Sequence, residues 1–138
     1  MINFIIVTHG EFGAYLVEAA ESIVGRQAGV RAIPISTRVP VPEIRERLRR
    51  DIAELASPEG LVVFTDMPGG TPGNLSFPLI KDKKGVELIS GVNLFMLVSA
   101  FGQRRQLGLE ALVAKVVADG QRSICDIRQL FLSRSGGR

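Results

Sequence analysis

The chain of 138 residues has one cysteine, one histidine, one tyrosine and no tryptophan. A single cysteine excludes an internal disulfide, and one His with one Cys cannot assemble the usual zinc sets without several carboxylates. No metal and no other cofactor is expected. Cys125 lies in an apolar C-terminal stretch without any sign of activation, which argues against a Cys/His hydrolase. The scarcity of Tyr and Trp leaves few stacking platforms for nucleobases. The patterns G-x-x-x-x-G-K-[ST], G-x-G-x-x-G and G-x-S-x-G are all missing, so nucleotide-binding and serine-hydrolase chemistry have no motif behind them. The longest apolar stretch, around Leu94 to Phe101, falls far short of the roughly 20 residues a spanning helix needs. With no basic region ahead of an apolar stretch at the N-terminus, a soluble cytoplasmic protein is expected.

Excess charge is also modest. The net +3 comes largely from Arg45, Arg47, Arg49 and Arg50 and from Arg104 and Arg105. Ile44, Leu48, Ile52 and Leu55 recur at helical spacing, so the first arginine group falls largely on the solvent face of an amphipathic helix, interleaved with Glu43, Glu46, Asp51 and Glu54. A solvated face, rather than a nucleic-acid surface, is the expectation.

What the chain does contain is an alternation of strand-like and helical segments, the pattern of an α/β domain with a mostly parallel sheet. Ile2 to Thr8, Val30 to Ser36, Leu61 to Thr65 and Val86 to Ser90 read as strands. Helices are expected from Tyr15 to about Gly25, from Pro42 to a close at Ser57-Pro58-Glu59-Gly60, from about Pro72 to Lys81, through Leu94 to Phe101, and through Leu109 to Val117. Ser123 to Leu132 reads as a further strand, although its alternation separates the faces poorly. One domain over residues 1–132 and a polar tail over 133–138 are expected.

His9 stands just past the carboxyl end of the first strand and Asp66 just past the third. In open α/β sheets the loops at that edge form the ligand crevice. Alone, His9 is equally a turn or capping residue and Asp66 equally a cap. Together they can do defined work: a carboxylate that accepts from Nδ1 fixes the tautomer with a free lone pair on Nε2 and stabilises the imidazolium. After Asp66 comes Met67-Pro68-Gly69-Gly70-Thr71-Pro72-Gly73-Asn74. Gly69 and Gly70 permit close backbone approach, Thr71 is a natural N-cap, and Pro72 suits a first helical turn. Such a helix start offers free N–H groups and a positive dipole end to a phosphate. The reaction these residues suggest is a histidine that accepts and donates a phosphoryl group.

Thr8-His9-Gly10, the Asp66 to Asn74 block, and Ser90-Gly91-Val92-Asn93-Leu94 resemble the IIA component of the mannose/fructose-type bacterial sugar phosphotransferase system (PTS), over nearly the whole chain. The resemblance implies a doubly wound, mostly parallel open sheet with helices on both faces. It implies phosphorylation of His9 at Nε2, with Asp66 orienting Nδ1 and Gly69, Gly70, Thr71 and Asn74 around the phosphoryl oxygens. It further implies the phosphocarrier HPr as donor, a IIB protein as acceptor, and the membrane only indirectly, through IIC and IID components. Family members are homodimers that exchange a C-terminal strand, which would give Ser123 to Leu132 its role. Pro68 stands where an aromatic residue is common in the family and Phe95 where a proline is common, both near the rim where partners dock. Two other roles fit the same chemistry: a regulatory phosphohistidine protein that signals PTS status, and a phosphotransfer subunit for dihydroxyacetone kinase. An anion-binding domain without phosphotransfer is a third alternative.

Overall fold

The computed structural model describes residues 1–136. Gly137 and Arg138, the end of the polar tail, lie outside the described residues. The elements run β1 (Asn3–His9), α1 (Phe12–Val24), β2 (Val30–Ile35), α2 (Val41–Leu55), β3 (Leu61–Thr65), α3 (Thr71–Ile80), β4 (Val86–Ile89), α4 (Leu94–Gln103), α5 (Leu109–Arg122) and α6 (Ile127–Gly136). The strands form one parallel sheet in the order β2-β1-β3-β4.

Strand alternation accounts for the two cores. Phe4 and Ile6 of β1, with Val62 and Phe64 of β3, point to one face and pack with Ala20 of α1, Met96, Leu97 and Phe101 of α4, and Leu112 and Val116 of α5. Ile5 and Val7, with Leu61 and Val63, point to the other and meet Ile44, Leu48 and Ile52 of α2 and Ile80 of α3. Both faces being covered, Phe4 to Val7 of β1 and Leu61 to Phe64 of β3 are continuous apolar runs, as central parallel strands should have. The doubly wound open sheet expected from the sequence is the architecture observed.

The order of the strands positions the site. From β1 the chain winds outward to β2, then returns across β1 to place β3 on its other side. Consecutive connections therefore leave in opposite directions at β1 and β3, and the crevice of such a switch point opens at their carboxyl ends.

On α2 the buried stripe is Ile44, Leu48, Ile52 and Leu55, while Arg45, Arg47, Arg49 and Arg50 are exposed. Arg49 pairs with Glu46, and Arg47 and Arg50 approach Asp51. Arg104 departs from this pattern, for it is 3 % exposed. Its five N–H groups go to Ile2 O, Ala28 O, Gln27 Oε1 and Asn3 Oδ1, and its guanidinium lies 4.8 Å from the centre of the Phe4 ring. Burial, with the charge of Arg105, lowers its pKa to about 10, which leaves it charged at neutral pH. One side chain thus ties the end of α4 to the starts of β1 and β2.

The C-terminal segment corrects an expectation. Ser123 to Leu132 adds no strand to the sheet; residues 127–136 form α6, which also takes in the first part of the polar tail. Asp126 opens the helix, accepting at Oδ1 from the Gln129 N–H (3.0 Å) and at its carbonyl from the Leu130 N–H (2.9 Å). A helix satisfies these backbone groups within the segment, whereas a strand requires a neighbouring edge. Ile127, Leu130, Phe131 and Leu132 remain exposed on α6.

Candidate functional site

His9 closes β1 with its side chain 48 % exposed, and Asp66 follows β3 with its side chain 9 % exposed. The two residues, 57 positions apart, meet twice. Asp66 Oδ2 accepts from the His9 backbone N–H at 2.8 Å and lies 2.7 Å from His9 Nδ1. Its Oδ1 accepts from the Met67 N–H at 2.9 Å. Burial works against ionisation of Asp66, but the hydrogen bonds from the His9 backbone and ring, together with the imidazole charge, outweigh it and hold the carboxyl below its ordinary value. An ionised carboxylate only accepts, so the hydrogen in this contact sits on Nδ1. Nε2 of a neutral ring then carries the lone pair.

Around the ring the chain is held from three sides. The Gly10 N–H donates to Ile35 O of β2 at 2.9 Å, with Gly10 at φ +63, a conformation that costs glycine little. The Thr8 hydroxyl donates to Gly10 O and accepts from the Gly13 N–H, both at 3.1 Å. Gly70 closes the far side: a Cβ built on it would come within 2.9 Å of His9 Cε1 and 3.6 Å of Nε2. Its φ of −87 is open to any residue, so the need for glycine here is one of space.

The turn into α3 follows the expected course with one correction. Gly69 takes φ +75, and Pro72 lies in the first helical turn. The N-cap, however, is Gly70 rather than Thr71, because the Gly70 carbonyl accepts the first intrahelical bond, from the Asn74 N–H at 3.0 Å. No side chain caps this helix. Thr71 and Gly73 are therefore first-turn residues, whose N–H groups have no carbonyl four residues back within the helix. Thr71 is exposed, and Asn74 Nδ2 donates to Gly69 O at 3.4 Å, bracing the turn.

All six residues singled out from the sequence thus fall at one end of the sheet: His9 and Asp66 in contact, Gly70 against the ring, and Gly69, Thr71 and Asn74 in the turn beside it. Thr8 and Gly13 escaped notice as individual contributors to the site. Among the described residues no group of three or more His, Cys, Asp or Glu side chains could hold a metal ion, and no helix is long and apolar enough to cross a membrane.

Residues 3–117 match the family model described as PTS system fructose IIA component. The chain belongs to this family. It is 27 % identical over 123 residues to the PTS system fructose-specific EIIA component of Bacillus subtilis (strain 168), a match spanning 89 % of this chain and 84 % of that protein. It is 30 % identical over 124 residues to the PTS system mannose-specific EIIAB component of Escherichia coli (strain K12), of whose length the match covers 38 %. The crystal structure of the phosphotransferase system component EIIA from Streptococcus agalactiae is similar to it with a TM-score of 0.84 and 31 % identity, over 94 % of this chain and 99 % of that one. PTS IIA components of the mannose/fructose family are phosphotransferase proteins, and the sheet-end geometry described above is this member's version of the fold.

Proposed function

We propose that His9 is the phosphoryl carrier of this IIA component, taking the group from phospho-HPr and passing it to a IIB protein for sugar uptake. The observation that carries the proposal is the 2.7 Å contact between Asp66 Oδ2 and His9 Nδ1. It directs the lone pair to Nε2 and places a carboxylate where the ring becomes cationic as a bond to phosphorus forms.

In the forward step Nε2 attacks phosphorus in line. The new N–P bond forms as the N–P bond to the donor imidazole breaks, and that bond's electron pair returns to the donor nitrogen. The phosphoryl oxygens then lie at the start of α3, where Gly69, Gly70 and Thr71 offer backbone N–H groups and Thr71 and Asn74 offer side-chain donors. Preorganised donors at a helix start favour charge developing on those oxygens. Transfer to the acceptor is the same displacement with the roles exchanged.

A homodimer belongs to the same reading. It is supported by a mostly apolar groove of Ile23, Leu94, Phe95, Val98 and Ile124, and by the exposed Leu130 and Phe131 of α6. Incubation with the general phosphotransferase proteins and labelled phosphoenolpyruvate tests the carrier role. The expected product is an acid-labile label absent from His9→Ala, and label retained in that variant contradicts the assignment.

A further inference from the structure

Thr8 belongs to β1 and, by strand alternation, points to the face opposite His9. That face is covered by α1, and Thr8 is 1 % exposed. Its hydroxyl bonds in both directions: it donates to Gly10 O and accepts from the Gly13 N–H, each at 3.1 Å. The second bond is unusual in its origin. The N-cap of α1 is Glu11, in helical conformation at φ −90 and ψ −2, and its side chain makes no capping bond. An N–H in the first turn of a helix has no intrahelical acceptor. Thr8 supplies one from the preceding strand, across five residues.

The approach this requires is close. A Cβ built on Gly13 would lie 2.8 Å from Thr8 Oγ1 and 2.9 Å from Thr8 Cγ2, so the bare backbone of α1 rests directly on the threonine. His9, which carries the reactive ring, lies between Thr8 and the first of these partners, Gly10. The backbone N–H of His9 is held by Asp66 and that of Gly10 by Ile35 O. The next carbonyl, Gly10 O, is held by Thr8 alone among the described hydrogen bonds.

We propose that Thr8 is a positioning residue for phosphotransfer: its hydroxyl clamps the turn from Gly10 to Gly13 and thereby fixes the backbone from which His9 Nδ1 meets Asp66. The proposal rests on the carrier role of His9. Without the hydroxyl, the buried Gly13 N–H loses its acceptor and the Gly10 carbonyl loses its donor, the turn relaxes, and the ring loses its single orientation. Misplacement of a reacting group by about 1 Å costs on the order of a hundred-fold in rate, so a smaller loosening here should cost about ten-fold or more.

The test compares Thr8→Ser with Thr8→Ala, which differ by the hydroxyl alone, and adds Thr8→Val, which keeps the shape and removes the hydroxyl. Because His9 is the only histidine, nitrogen-15 NMR of the imidazole reports its tautomer in each variant without assignment. The expected result is a ring hydrogen on Nδ1 in wild type and Thr8→Ser, a mixture of tautomers in Thr8→Ala and Thr8→Val, and phosphorylation by phospho-HPr slowed about ten-fold or more in the latter two. Circular dichroism verifies folding, and the Ser and Ala pair carries the comparison should the valine variant not fold. Identical tautomers and rates in Thr8→Ser and Thr8→Ala overturn the proposal. A wild-type protein that takes no phosphoryl group overturns the carrier role instead, since the tautomer comparison is made on the unphosphorylated protein.

Discussion

Replacing Asp66 with asparagine removes the charge beside His9 while keeping the shape of the side chain. The carboxylate makes three acceptor contacts, Oδ2 to the His9 N–H and Nδ1 and Oδ1 to the Met67 N–H. An amide has one oxygen and one NH2, so each orientation sets a donor against a donor. With the oxygen toward Met67, the NH2 opposes the His9 backbone and pushes the ring toward the tautomer with hydrogen on Nε2; with the oxygen toward His9, it opposes Met67. A hydrogen bond to a charged group is worth about 1.5–3 kcal/mol. Losing the charged partner of the ring should therefore slow phosphorylation of Asp66→Asn about ten- to a hundred-fold. Single-turnover transfer from phospho-HPr measures this.

Stability gives a second reading of the same change. The carboxyl of Asp66 is held below its ordinary value, so its contribution to folding is complete above about pH 5 and disappears as the pH falls through that lowered value. The difference in urea stability between wild type and Asp66→Asn should accordingly narrow in acid. Transfer at the wild-type rate in Asp66→Asn, with a stability gap independent of pH, would refute the reasoning.

Gly70→Ala should fold with a change in stability below about 1 kcal/mol, since its backbone conformation is open to alanine. It should nevertheless lose most of its phosphorylation, because the new methyl group occupies the space of His9 Cε1; thermal unfolding beside a labelling assay separates the two effects. Arg104→Met should cost about 3 kcal/mol by urea unfolding, as it leaves the buried carbonyl of Ile2, which accepts two of the guanidinium bonds, without its donor and unties Ala28 O from α4.

The sheet and its crevice were legible because they rest on features with a strong sequence signal. Phe4 to Val7 and Leu61 to Phe64 are apolar without interruption, as strands covered on both faces must be, and they deliver His9 and Asp66 to the same edge. The Gly69-Gly70 turn announced close approach, although what approaches Gly70 is the imidazole itself. Where the period was weak, the reading failed: Ser123 to Leu132 has neither a clean alternation nor a clean helical stripe, and Asp126 opens a helix there. Thr71 precedes a proline and looks like a cap, but the carbonyl that accepts the first bond belongs to Gly70. Arg104 sits beside Arg105 in a charged pair, and nothing local shows that one of them turns inward to meet the start of β1. The hydroxyl of Thr8 follows an apolar run in which a threonine passes as one more β-branched strand residue. Each of these depends on a contact between distant segments, or on a choice among adjacent residues that packing alone decides.

The central claim is that one nitrogen of one residue carries the phosphoryl group. Phosphorus-31 and nitrogen-15 NMR of the protein after exposure to phospho-HPr tests it directly. The account predicts a single phosphohistidine with phosphorus on Nε2 of His9 and the ring hydrogen retained on Nδ1 toward Asp66. Phosphorus on Nδ1, or a protein that stays unmodified while a known IIA component is phosphorylated in the same mixture, would contradict it.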